Sequence, residues 1–205
     1  MTTNNSKHFS MLRNFHLADL FTLANGSCGI SAIFGAMKFL ATHETRHLYV
    51  AFALIPLALV FDVLDGRVAR WRHTASSLGR ELDSLADVIS FGVAPAAIAF
   101  AAGLNNGIEQ LILLFFAACG LSRLARYNVT AEQLAANTGK VEYFEGAPIP
   151  TSLLPLGVLL LLFHFNQLQR ASLLKGLGVE LHWVAVLFFI SGCLMISKTL
   201  RIPKP

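Results

Sequence analysis

The chain has 205 residues, of which 55% are hydrophobic and 14% charged, against about 25% charged in an ordinary soluble domain. A water-soluble globule of this length cannot hide that much apolar surface, and disorder is excluded because it requires low hydrophobicity. Fifteen glycines and three cysteines exclude collagen-like and disulfide-framework classes. What remains is an integral membrane protein of one compact domain. Its net charge of +4 reads as cytoplasmic loops and contact with anionic headgroups, not as a nucleic-acid footprint. Cys28, Cys119 and Cys193 lie in apolar stretches without metal spacing and read as small hydrophobes.

Residues 1–16 are polar and lack a signal-peptide pattern. They predict a cytoplasmic segment whose short helix lies at the interface, with Phe9, Leu12, Phe15 and Leu20 on one side. Residues 17–205 form the single domain. Six apolar segments follow one another, over about 17–40, 48–64, 82–102, 108–124, from Pro148 and Pro150 to about 165, and 181–196. The expected fold is all-α, a bundle of six transmembrane helices. With the N-terminus inside, twelve Lys and Arg residues fall on the cytoplasmic side, and only Lys38, Arg46, Arg170 and Lys175 fall outside. His43, His47, His164 and His182 then lie outside too and are not expected as ligands.

Four of the five aspartates are Asp62, Asp65, Asp83 and Asp87, at the end of the second segment and the start of the third. A carboxylate near hydrocarbon costs roughly 2.5 to 3.5 kcal/mol even on lenient scales, so a cation must compensate them. Asp62 and Asp65 are three apart and share a helix face; Asp83 and Asp87 are four apart and do the same. If the two helices pack together, four hard oxygen ligands converge, enough for two Mg²⁺ or Mn²⁺ ions. Such a pair clamps the attacking and leaving oxygens of a phosphoryl displacement. Gly66 and Gly79 remove side chains where a nucleotide or another backbone approaches closely, Arg70 offers a fork for phosphate, and Ala69 leaves room beside it.

The stretch "DVLDGRVARWRHTASSLGRELDSLAD" fits D-x2-D-G-x2-A-R-x8-G-x3-D-x3-D at all eight specified positions. That pattern resembles the signature of the CDP-alcohol phosphotransferase family. The resemblance implies six transmembrane helices, a homodimer, a site opening to the cytoplasmic side, and transfer of a substituted phosphate from a CDP-linked donor to an alcohol with release of CMP. It implies Asp62, Asp65 and Asp83 as metal ligands, and Asp87 as general base close to the metals. Gly66, Ala69, Arg70, Gly79 and Ser76 resemble donor-contacting positions. In "LADLFTLANG", Asp19, Thr22 and Asn25 are similar, more loosely, to first-helix residues that hold the nucleotide.

"GLSRLARYNV", "YFEGAPIPTS" and "ELDSLADVISFGVAPA" are similar to blocks of the phosphatidylserine synthase branch of that family. The substrates implied are CDP-diacylglycerol and L-serine, in a prokaryotic cytoplasmic membrane or an endoplasmic reticulum membrane. Arg123 and Arg126 are three apart and share a face, so two guanidiniums can hold the serine carboxylate, with Tyr127 and Asn128 as further polar contacts. The same arginines also suit topological anchoring or the donor's phosphates. Other readings are another acceptor (glycerol phosphate, inositol or inositol phosphate) or an ion or proton transporter. A transporter would spread its acids through the membrane instead of clustering them.

Overall fold

The structure is a computed structural model and describes residues 17–72, 77–137, 143–168, 172–176, 179–197 and 201–203. Helices α1 (Leu17–Thr42) and α2 (Thr45–Arg72) form an antiparallel pair across a two-residue turn, where His43 takes φ 56°. The third rod is continuous: α3 (Ser77–Asp87), a π-helical turn (Val88–Val93) and α4 (Ala94–Ala102). Helix α5 (Gly107–Asn137) is the fourth rod. Each of the four carries an apolar stretch long enough to cross a bilayer: Ala18–Thr42, Thr45–Trp71, Leu78–Ala102 and Gly107–Val129. At 1.5 Å per residue the shortest of these extends about 35 Å, more than the ~30 Å of hydrocarbon.

The last two rods are shorter. A 3₁₀ turn (Ile149–Ser152) leads into α6 (Leu153–His164), and α7 is Trp183–Ile196. The apolar lengths Ile149–His164 and Trp183–Ile196 correspond to about 24 and 21 Å. The bundle is thus helical with six rods, and four of them are of spanning length among the described residues. Short strands flank the last rod. Strands β2 (Ser172–Gly176) and β3 (Val179–His182) pair antiparallel and occupy the chain up to α7, so the helix starts at Trp183 and not near Leu181. Strand β1 (Tyr143–Glu145) pairs with β4 (Arg201–Pro203), a second, three-residue ladder at the edge of an otherwise all-helical bundle. The interfacial helix expected over 1–16 lies outside the described residues.

Both the lipid and the protein core are apolar, so the spanning helices need no sharply polar face. Their packing relies on small residues. Ala32 and Ala36 of α1 and Ala51 and Ala58 of α2 are buried, and a Cβ at Gly35 would stand 3.0 Å from the His47 carbonyl. Phe116 of α5 and Phe188 of α7 are fully buried and meet edge to face at 5.2 Å. Leu111, Leu114 and Leu121 of α5 point outward, as does Trp71, 79% exposed between Arg70 and Arg72.

The end of the bundle where α5 and α7 begin is fastened by a buried acid. Glu109 is fully buried. Its Oε1 accepts the His182 backbone N–H at 2.8 Å and lies 2.8 Å from His182 Nδ1, while Oε2 accepts the Asn106 N–H at 3.4 Å. His182 is the N-cap of α7, so Glu109 ties the first turn of α5 to the start of α7. Burial is tolerated because both oxygens are partnered. Glu109→Ala would strand these donors at a cost of about 1 to 3 kcal/mol. The expected outcome is a lower thermal unfolding midpoint of the purified protein, with a smaller loss in Glu109→Gln, which keeps an acceptor.

Candidate active site

All five aspartates stand at the opposite end, where α1 begins, α2 ends and α3 begins. Helical spacing puts Asp62 and Asp65 on one face of α2, and Asp83 and Asp87 on one face of α3. Asp62, Asp83 and Asp87 each offer an oxygen within 4.8 Å of the others. Asp65 is 6% exposed and stands beside this trio, within its electrostatic reach. Its Oδ2 accepts the Thr22 hydroxyl at 2.7 Å. Asp19, also buried, lies in the field of Asp65.

Helix α1 supplies neutral donors. Thr22 serves Asp65, and the fully buried Asn25 donates from Nδ2 to Asp87 Oδ1 at 3.0 Å. The looser first-helix pattern Asp19, Thr22, Asn25 therefore does reach the aspartates, since residues three apart share a face. These donors are neutral, and none of the four clustered aspartates makes a salt bridge among the described residues. The buried Asp83 Oδ1 has no hydrogen-bond partner among the described residues. A group of hard oxygen donors without a salt bridge, and with one oxygen orphaned, fits a divalent cation. Asp62, Asp83 and Asp87 would hold it, with Asp65 alongside.

The positions expected from the sequence to contact the donor lie at the end of α2 and the start of α3. A Cβ at Gly66 would meet nothing within 4 Å among the described residues, so the space above it is open there. Ala69 is half-buried, and the exposed Arg70 donates from Nε to the Gly66 carbonyl at 3.0 Å. Gly79 is half-buried near the start of α3. Ser76 lies outside the described residues.

The four residues expected at the acceptor go to different places. Arg123 of α5 is buried, its Nε has no hydrogen-bond partner among the described residues, and its charge lies in the field of Asp87. Arg126 reaches the end of α7, with Nη1 3.5 Å from the Ile196 carbonyl. Asn128 clasps α5 to α3, donating from Nδ2 to Glu81 Oε2 at 3.3 Å and to Ser84 Oγ at 3.1 Å. Sequence reasoning did not single out Ser90, a fully buried hydroxyl in the apolar run "VISFGV" that bonds back to α1. A serine inside such a run is the only signal that marks it.

The family model for CDP-alcohol phosphatidyltransferases matches residues 15–191, and the chain belongs to that family. Within it, the chain is 47% identical over 209 residues to the CDP-diacylglycerol–serine O-phosphatidyltransferase of Saccharomyces cerevisiae, covering 99% of this chain and 76% of that one. Enzymes of the same name from Methanocaldococcus jannaschii and Helicobacter pylori are similar to it as well. The first is 35% identical over 199 residues, covering 96% of this chain and 78% of the relative. The second is 39% identical over 191 residues, covering 91% and 71%.

Replacing one oxygen ligand in such a cluster should weaken divalent-ion binding on the order of 100-fold, because even partners of ligands cost 10- to 100-fold when removed. For Asp83→Asn this is read by titrating Mn²⁺ into metal-stripped protein and following the free ion by electron paramagnetic resonance. Unchanged affinity would remove Asp83 from the ligand set.

Proposed function

We propose that this chain transfers the phosphatidyl group of CDP-diacylglycerol to the hydroxyl of L-serine, giving phosphatidylserine and CMP. The observation that carries the reading is the convergence of Asp62, Asp83 and Asp87 within 4.8 Å, in a chain of this family. The full set of four aspartates suits two divalent ions, Mg²⁺ or Mn²⁺. When bound, they supply charge neutralisation of the donor's diphosphate and polarisation of the phosphorus under attack.

The chain's own residues do the rest. The open space above Gly66 admits the nucleotide, and the Arg70 fork beside it suits a phosphate. Serine presents its hydroxyl oxygen to the phosphorus of the phosphatidyl phosphate. Asp87 accepts the hydroxyl proton as the new oxygen–phosphorus bond forms. The bond between that phosphorus and the bridging oxygen of CMP breaks, and CMP leaves with the electron pair. A carboxylate is a weak base toward an alcohol, so catalysis rests chiefly on positioning and charge stabilisation. Arg123, buried and within the field of Asp87, suits the serine carboxylate, and Arg126 stands one turn further along α5.

The chain is a membrane protein. The excess of Lys and Arg at the aspartate end supports a site on the cytoplasmic face, with six spans in all. Assembly as a homodimer rests on the family resemblance.

The test of the acceptor is a panel of L-serine, glycerol phosphate, inositol and inositol phosphate offered with CDP-diacylglycerol, with CMP release as readout. Release with serine alone is expected; release with glycerol phosphate and not serine would sink the assignment. Asp87→Asn should lower turnover by about 10² to 10⁴, the range for a general base, while CDP-diacylglycerol still binds. Full activity would take the base role from Asp87. Arg126→Ala should raise the KM for serine about tenfold, the loss of one charge-assisted hydrogen bond, and leave the KM for the lipid donor near its original value. Equal effects on both would assign Arg126 to the donor.

A further inference from the structure

The rod that carries Asp87 leaves α-helical geometry immediately after it. Val88–Val93 form a π turn, with Ser90, Phe91 and Gly92 buried. Such turns inside α-helices are rare and gather at functional sites. Here the turn is pressed against α1. Ser90 donates from Oγ to the Asn25 backbone carbonyl at 2.9 Å, while the Asn25 side chain donates to Asp87 Oδ1 at 3.0 Å. One residue of α1 is therefore held twice by the same stretch of chain.

In an α-helix the carbonyl of residue 25 is also the acceptor for the N–H of residue 29, and residue 29 is glycine. A Cβ there would stand 2.6 Å from Ser90 Oγ, 2.8 Å from Ser90 Cα and 3.0 Å from Ser90 N. Two of those three atoms are backbone and cannot swing aside. One turn earlier the interface is looser: a Cβ at Gly26 would meet the Ala86 Cβ at 3.4 Å, an ordinary contact. The close approach is thus specific to Gly29 and Ser90.

We infer that Ser90 and Gly29 are positioning residues for Asp87. The Ser90–Asn25 hydrogen bond and the bare backbone of Gly29 set the register of α1 against the π turn, and that register brings the Asn25 amide to the Asp87 carboxylate. The inference deepens the reading of Asp87 as ligand and base, and rests on it. Neither residue touches the reacting atoms.

Two measurements test it. The first is kcat and KM from CMP release with CDP-diacylglycerol and serine. The second is Mn²⁺ affinity of the metal-stripped protein by electron paramagnetic resonance, with thermal unfolding alongside. Ser90→Ala, which removes the hydroxyl without adding bulk, should lower kcat about tenfold and weaken Mn²⁺ binding several-fold, with both KM values within about twofold. Gly29→Ala should lower kcat by about 10², as expected of a displacement near 1 Å, and Gly26→Ala should behave as the parent protein. Parent-like kcat and Mn²⁺ affinity in Ser90→Ala overturn the inference. So does a loss shared equally by Gly26→Ala and matched by a fall in unfolding midpoint, which would make the contact mere packing. If the parent protein releases no CMP with serine, the proposed activity fails, and the Mn²⁺ titrations still decide the positioning role by themselves.

Discussion

Carboxylates that repel one another must be held together by something other than their own attraction. In this bundle Asp62, Asp83 and Asp87 are brought within 4.8 Å on two different helices, and the rest of the fold can be understood as the frame that keeps them there. Helix α1 is the third wall. Its Thr22 and Asn25 neutralise nothing, but they orient Asp65 and Asp87 through single hydrogen bonds of 2.7 and 3.0 Å. Neutral donors suit this task, because an arginine in their place would satisfy the acids internally and remove the reason for a metal to bind.

The opposite end of the bundle solves the reverse problem. Glu109 is as buried as any aspartate, yet all of its bonding is consumed by His182 and Asn106. A fully satisfied acid is a fastener, whereas an acid with an orphaned oxygen, such as Asp83, is a site. The contrast between the two ends separates stability from chemistry within one chain.

Much of this was legible in the amino-acid sequence, because helical periodicity is a local property. Spacings of three and four place the aspartates on faces, and long apolar runs locate the four spanning rods. Facts that depend on how rods are set against one another were not legible. Thr22 meets Asp65 across 43 residues and Asn25 meets Asp87 across 62, and no local pattern encodes which pairs will meet. The π turn leaves no mark in "VISFGV" beyond a buried serine. The three-residue strands Tyr143–Glu145 and Arg201–Pro203 are too short to show an alternating pattern. The pairing of β2 with β3 ahead of α7 shortened a segment that hydropathy alone extends to Leu181.

Trp71 carries a consequence for how far the donor must sink. Exposed amphipathic tryptophans settle at the membrane–water boundary, and this one follows Asp65 by six residues and Asp62 by nine on the same helix. At 1.5 Å per residue the two carboxylates stand about 9 and 14 Å from Trp71 along the helix axis, on its bilayer side. With Trp71 at the boundary, a lipid whose diphosphate reaches them is drawn beneath the plane of its neighbours' headgroups while its acyl chains stay in hydrocarbon.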